Sequence, residues 1–401
     1  MIRVGISGVG AVSAAGIGAD CLWRAARDGV SGISDLSLPR GEGLHVGFAG
    51  QVRDLEHALD LPAPVARRCD RFTQFAHVAV VEALRQAGLT DAQLGGPRTA
   101  VIIGTSIGGT KTIDDGTYDF YRGNRLNPLS IPILIPSAVT SHLSITHRIT
   151  GPCFVVSSAC SSAGQAIGIG LQMIRAGIVD RVIAGGSEAC ITPVTVKMWE
   201  MLRVLSPDRS RPFCSDRNGM TLGEGAGALI LESEAVLEAR GASPLAWLAG
   251  YGTSSDARDI VQPDLDGAIA AIEAALADAG LSPAEIGYIN AHGTGTVLND
   301  ANEASAIHRV FGARTAELPV SSTKPVIGHA FGASGALELI VAIGALREKI
   351  VPPQINITTP DPKCALYLPP VAIERPLTAV LSNSFAFGGI NACLVVTAAA
   401  P

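Results

Sequence analysis

The sequence is poor in aromatic residues and in charge, and none of its cysteines are paired at metal-binding spacing. Only 4% of residues are aromatic and 16% charged, against 47% hydrophobic and 45 glycines. So little charge excludes a disordered chain, and the Ala- and Gly-rich remainder implies an interior packed closely through small side chains. Lys and Arg form no sustained basic stripe and the formal net charge is −6, which argues against a nucleic-acid protein. Eight cysteines include no C-x-x-C pair, so neither a zinc site nor a disulfide framework is expected. Long uncharged runs exist but do not read as membrane spans. Residues 149–174 hold Gly151-Pro152 and several serines, and residues 126–147 carry three prolines. The first residues, Met1-Ile2-Arg3-Val4-Gly5-Ile6, begin as a strand and lack the basic and apolar regions of a signal segment. The expectation is a cytoplasmic protein with no membrane partner.

What is present is an alternation of short apolar strands and Ala-rich helices. At 401 residues the chain suits two or three average domains, or one large fold of two similar halves. Strands are expected at 4–7, 100–103, 154–157, 181–184, 228–231, 288–290 and 392–396, with 100–103 and 154–157 buried. Helices are expected at 21–27, 73–87, 161–176, 267–279 and 333–348, stopped in three cases by Gly88, Gly177 and Gly280. This alternation predicts an α/β fold with largely parallel sheets. The pattern starts again after Arg240-Gly241-Ala242-Ser243-Pro244, dividing the chain into 1–245 and 246–401. A weak internal repeat supports the division. Strand 154–157, Cys160 and a helix ending near Arg175 are echoed by strand 320–323, His329 and a helix ending near Arg347.

Two motifs imitate other chemistries. Gly8-Val9-Gly10 follows a strand like a dinucleotide fingerprint, but Ser13 stands at the third glycine position, and a tight turn is expected instead. Gly104-Thr105-Ser106-Ile107-Gly108 matches a nucleophile elbow, which keeps a serine hydrolase using Ser106 as an alternative, although no clear helix follows. The stronger constellation is Cys160, His292 and His329, each at a strand-to-helix transition. Backbone N–H groups and the positive helix end at Cys160 would favour the nucleophilic thiolate. His292 lies just past a strand, where residues of α/β folds point into a cleft.

The motifs around these residues resemble the β-ketoacyl-acyl-carrier-protein synthases of the elongating type, in the thiolase superfamily. They are Gly5-Ile6-Ser7-Gly8-Val9-Gly10, Ser158-Ala159-Cys160-Ser161-Ser162, Gly223-Glu224-Gly225-Ala226-Gly227, Asn290-Ala291-His292-Gly293-Thr294-Gly295-Thr296, Asn299-Asp300-Ala301-Asn302-Glu303, Ser322-Thr323-Lys324, Gly328-His329 and Asn383-Ser384-Phe385-Ala386-Phe387-Gly388-Gly389-Ile390-Asn391. The resemblance implies a five-layered α-β-α-β-α fold of two duplicated halves, the first carrying the cysteine and the second both histidines. It implies decarboxylative Claisen condensation of an acyl thioester with malonyl-acyl carrier protein, in fatty-acid or polyketide elongation. Cys160 would be the nucleophile, with oxyanion stabilisation from its own backbone N–H and that of Phe387. His292 and His329 would act as N–H donors, with Lys324 organising His329 and Glu303 as the ion partner of Lys324. Thr294, Thr296 and Phe385 would contact substrate, and Ile107 and Leu134 would wall the acyl pocket. No metal and no bound cofactor are implied; the phosphopantetheine arm of acyl carrier protein carries the substrate. The partners implied are acyl carrier protein and a second chain, as a homodimer or as a ketosynthase subunit beside a chain-length-factor relative.

For docking an acidic carrier, Arg67 and Arg68 near Arg71 form a cationic cluster, with Arg209 and Arg211 as further candidates. The sequence departs from the family pattern at Asp259, where fatty-acid synthases of this type commonly have His, and at Met220, where many have Phe. Ile131-Pro132-Ile133-Leu134-Ile135-Pro136 replaces an aromatic pocket segment. These changes touch pocket and interface positions and leave the catalytic set intact.

Overall fold

A computed structural model describes residues 2–399. The first half contributes strands β1 (Val4–Ser13), β2 (Thr99–Gly104), β3 (Cys153–Val156), β4 (Arg181–Glu188) and β5 (Gly225–Ser233), side by side in the order β3-β2-β4-β5-β1. The second half contributes β6 (Ala246–Ser255), β7 (Tyr288–Asn290), β8 (Val320–Ser321), β9 (Ala379–Ala386) and β10 (Ile390–Ala398), in the order β8-β7-β9-β10-β6. Counted within each half, both orders are the same, and the pairings match in sense as well. The first two pairings of each array are parallel and the last two antiparallel. The weak repeat in the sequence is therefore a duplication of topology. The expectation of largely parallel sheets is corrected: in each half one strand, β5 or β10, runs antiparallel to both of its neighbours within the array. The two arrays join where Gly5 and Ile6 of β1 pair with Trp247 and Ala246 of β6.

Five layers result. Helix α1 (Arg71–Ala87) covers the outer face of the first array, capped by the Asp70 carboxylate at one end and by left-handed Gly88 at the other. Helices α2 (Ser162–Arg175) and α3 (Ser334–Glu348) lie between the arrays and touch strands of both. Helices Leu265–Ala279 and Val297–Phe311 form the outer layer of the second half. The three largest apolar clusters correspond to the middle and the two outer interlayers.

Small residues set these distances. Gly8 and Gly10 lie inside β1 rather than in a turn, which corrects the sequence expectation. A Cβ at Gly10 would sit 1.9 Å from the Ala79 carbonyl oxygen, so the backbones of β1 and α1 meet without side chains between them. At Gly168 of α2 a Cβ would fall 2.3 Å from the Tyr251 ring. The strand at 154–157 was expected to be buried. It is instead the edge of the first array, paired only with β2, with Cys153 and Phe154 exposed. No described helix is long and apolar enough to cross a membrane.

Candidate active site

Cys160 sits in the turn between β3 and α2, and both halves hold that turn in place. Ala159 takes φ 49°, a left-handed conformation that costs a residue with a Cβ roughly 1–3 kcal/mol. Its carbonyl accepts from the Ser106 hydroxyl at 3.0 Å and from the Ser162 hydroxyl at 2.6 Å. Ser161 donates to the Ile390 carbonyl at 2.7 Å, tying the turn to the hairpin of β9 and β10. The thiol is buried, 3.0 Å from Nε2 of His329. Burial pushes it up to about 12, outweighing the opposite pull of the Lys324 ammonium. Burial thus works against the thiolate that the backbone N–H groups and the helix end would favour.

Both histidines present a proton to the cavity. The backbone N–H of Phe331 donates to Nδ1 of His329 at 3.3 Å, which leaves the ring hydrogen on Nε2, facing Cys160. Lys324 Nζ stands 3.3 Å from Nδ1 of His292, and an ammonium can only donate, so His292 also carries its hydrogen on Nε2. Burial and the Lys324 charge hold both imidazoles well below the usual value, so they are neutral donors. The rings meet edge to face with centroids 5.4 Å apart. Cys160, His292 and His329 lie close enough together to suggest a metal site, their nearest ligand atoms within 4.8 Å. The tautomers oppose it, since each Nε2 offers a hydrogen rather than a lone pair.

The expected roles around Lys324 change. Its ion partner is Glu338 of α3, at 2.5 Å, with both side chains about 1% exposed, and it also donates to the His292 carbonyl. It contacts His292 rather than His329. Glu303 makes no bond to Lys324. It accepts from the backbone N–H groups of His292 at 2.8 Å and Gly293 at 2.7 Å, and from Asn383 at 3.1 Å. Burial pushes Glu303 up to about 7. It shapes the loop after β7 instead of neutralising the lysine.

One cavity gathers Cys160, His292, His329, Thr294, Thr296, Phe385 and Phe387. The two threonine hydroxyls bond each other at 2.9 Å. Phe387 stacks on Trp199, Trp199 on Phe331 and Phe331 on His329, an aromatic column leading from the mouth to the imidazole. Ile107 and Leu134 are not among the lining residues; Ile107 is exposed, and the Leu134 carbonyl accepts from Gly109 N–H close by. Met220 does line the cavity, and Asp259 lies exposed on the loop whose Val261 reaches it.

Arg67, Arg68 and Arg209 are exposed and make no ion pair among the described residues, whereas Arg71 is bound to Glu224 at 2.8 Å and Arg211 to Asp208. The cationic cluster thus loses Arg71 and Arg211. Arg203, unmarked in the sequence, lies exposed at the cavity mouth. Ser106 has no basic partner: its hydroxyl is committed to the Ala159 carbonyl and no helix starts until Thr110, so the elbow geometry is missing. Trp199, Phe331 and Glu338 also escaped the sequence. A lone acid in the apolar run 335–346 was the available signal for Glu338.

Residues 1–236 match the β-ketoacyl synthase N-terminal domain and residues 245–358 the β-ketoacyl synthase C-terminal domain. The chain belongs to the β-ketoacyl synthase family. It is 42% identical over 400 residues to nodulation protein E of Rhizobium sp. (strain N33), covering 98% of each chain. To 3-oxoacyl-[acyl-carrier-protein] synthase 2 of Staphylococcus aureus (strain MRSA252) it is 38% identical over 404 residues, again covering 98% of each. Its fold matches the solved ishigamide ketosynthase/chain length factor with a TM-score of 0.94 at 33% identity, over 100% of both chains. The five layers are thus the thiolase-like fold. The synthase is a condensing enzyme of acyl-chain elongation, an acyltransferase.

Proposed function

We propose that this synthase joins an acyl group held on Cys160 to a malonyl unit, with both partners delivered on the phosphopantetheine arm of an acyl carrier protein. The observation that carries this reading is the buried thiol 3.0 Å from an imidazole Nε2–H, beside a second imidazole fixed in the same tautomer. In the first step the sulfur attacks the acyl thioester, its proton leaves with the departing carrier thiol, and an acyl-cysteine remains. The backbone N–H groups of Cys160 and Phe387 stabilise the oxyanion. In the second step the malonyl thioester carbonyl accepts from Nε2–H of His292 and His329. Loss of carbon dioxide places negative charge on that oxygen. The enolate carbon attacks the acyl-cysteine, the sulfur departs, and a proton from water restores the thiol. Thr294 and Thr296 hold the pantetheine arm, Phe385 and Phe387 bound the reacting centre, Lys324 fixes the His292 tautomer, and Glu303 sets the loop that carries it.

On this reading residues 1–245 supply the nucleophile and residues 246–401 the donors. Arg203 and Arg209, with Arg67 and Arg68, receive an acidic carrier; Arg209 is linked through Ser206 to Asn218 on the cavity rim. A second chain of the same fold pairs along β3, covers the exposed Phe154, Ile131 and Ile145, and brings Ile107 and Leu134 into the wall of the acyl pocket. The free thiols throughout the described chain suit a reducing, cytoplasmic setting.

The test separates the two steps. With an acyl group preloaded on Cys160, His292→Ala and His329→Ala should retain it yet release carbon dioxide from malonyl thioester about a hundredfold more slowly. Normal release in either variant removes that histidine from the mechanism.

A further inference from the structure

Glu188 is a carboxylate with no part in the chemistry above. It ends β4 and is fully buried. Every partner it has donates to it. Oε2 accepts the backbone N–H of Ser106 at 2.6 Å and of Gly332 at 3.1 Å. Oε1 accepts the Thr105 hydroxyl at 3.1 Å and the Ile107 N–H at 3.3 Å. Three backbone donors converging on one side chain need an acceptor at each oxygen, which an ionised carboxylate provides.

The segments so joined are those that aim the reacting groups. Ser106, held through its N–H, spends its hydroxyl on the carbonyl of Ala159, the left-handed residue before the nucleophile. Gly332 follows Phe331, whose φ is 43°, also left-handed, and whose N–H sets the tautomer of His329. A bulky aromatic residue in that conformation persists only where its surroundings over-determine it. There is also no room for a substitute at the junction, since a Cβ on Gly332 would lie 2.5 Å from the Ser106 nitrogen and 2.6 Å from Glu188 Oε2.

We propose that Glu188 is a positioning residue for condensation, clamping the strained turn before Cys160 to the strained turn after His329 so that sulfur and Nε2–H stay in register. It acts through Ser106 and Gly332 and touches no substrate. Its buried charge also disfavours ionisation of the thiol, a smaller influence than the thiol's own burial.

The experiment uses the full-length synthase with Glu188→Gln, which keeps the size and one acceptor oxygen. Condensation kcat should fall about tenfold or more with KM for the acyl thioester unchanged, because geometry rather than binding is lost. The pH profile of Cys160 alkylation by iodoacetamide should move to lower pH as the buried charge is removed, while the fall in kcat at constant KM is the change that a merely structural acid would not cause. Glu188→Asp, too short to reach both turns, should not rescue kcat. If Glu188→Gln does not fold, Ser106→Ala decides. It removes only the link to Ala159 and should lower kcat several-fold at constant KM. A folded Glu188→Gln with wild-type kcat and alkylation profile, or a fully active Ser106→Ala where Glu188→Gln cannot be obtained, overturns the proposal.

Discussion

At the scale of single residues, the site depends on burying charge in one place so that two imidazoles stay neutral in another. Lys324 and Glu338 are an ion pair about 1% exposed, and the pair stands directly behind His292. Such a pair adds little net stability, but removing one partner leaves an uncompensated buried charge. Lys324→Met should therefore cost about 3–5 kcal/mol in denaturant unfolding, and Lys324→Met with Glu338→Leu should recover part of that. The activity effect has a definite sign. The ammonium disfavours protonation of both histidines, whose values lie well below the ordinary imidazole range. Burial still holds the ring low, but without the ammonium the His292 value rises, so the acid-side loss of condensation should set in at a higher pH than in the parent enzyme. A parallel pH–rate profile in the double variant would contradict this account of the lysine.

At the scale of elements, close backbone approach fixes the spacing of layers. Gly10→Ala puts a methyl group 1.9 Å from the Ala79 carbonyl oxygen, a clash with backbone that no rotamer relieves. It should destabilise the protein by about 3 kcal/mol or more, measured by urea unfolding, whereas Gly47→Ala, with open space around it, should be nearly neutral. Helices and their stops were legible because Gly88 and Gly280 adopt the left-handed conformation that ends a helix. The full length of β1 was hidden, because Gly8 and Gly10 look like a turn until α1 is seen lying across them. Cys160 and His292 were legible because each closely follows a strand, Cys160 also opening a helical turn; His329, expected at the same kind of transition, instead lies between the turn Lys324–Ile327 and the start of α3. The partners that hold them were harder to read. The choice between Glu303 and Glu338 as counter-ion of Lys324 depends on which helix passes behind the lysine, and spacing in the sequence carries no such information. The exposure of β3 was likewise hidden, since Cys153–Val156 is as apolar in composition as a buried strand.

At the scale of the whole molecule, the two halves repeat one topology but divide the labour, and their junction is the cavity. That same geometry leaves a face incomplete. Phe154 on the edge strand is 37% exposed, and Ile131 and Ile145, on the helices that precede it between β2 and β3, are 67% and 78% exposed. Pairing of β3 with another chain would cover them, so Phe154→Lys should shift the purified protein from dimer to monomer in size-exclusion chromatography and lower condensation with it. An unchanged elution volume would place the interface elsewhere. The central claim is that Cys160 carries the growing chain. It is tested most directly by peptide-level mass spectrometry of the intact synthase after exposure to acyl thioesters of acyl carrier protein. The account predicts an acyl mass on the peptide containing Cys160, present in His292→Ala, absent in Cys160→Ala and discharged by malonyl-acyl carrier protein only when both histidines are intact. An acyl mass on Ser106, or none on Cys160 with any thioester, would contradict it.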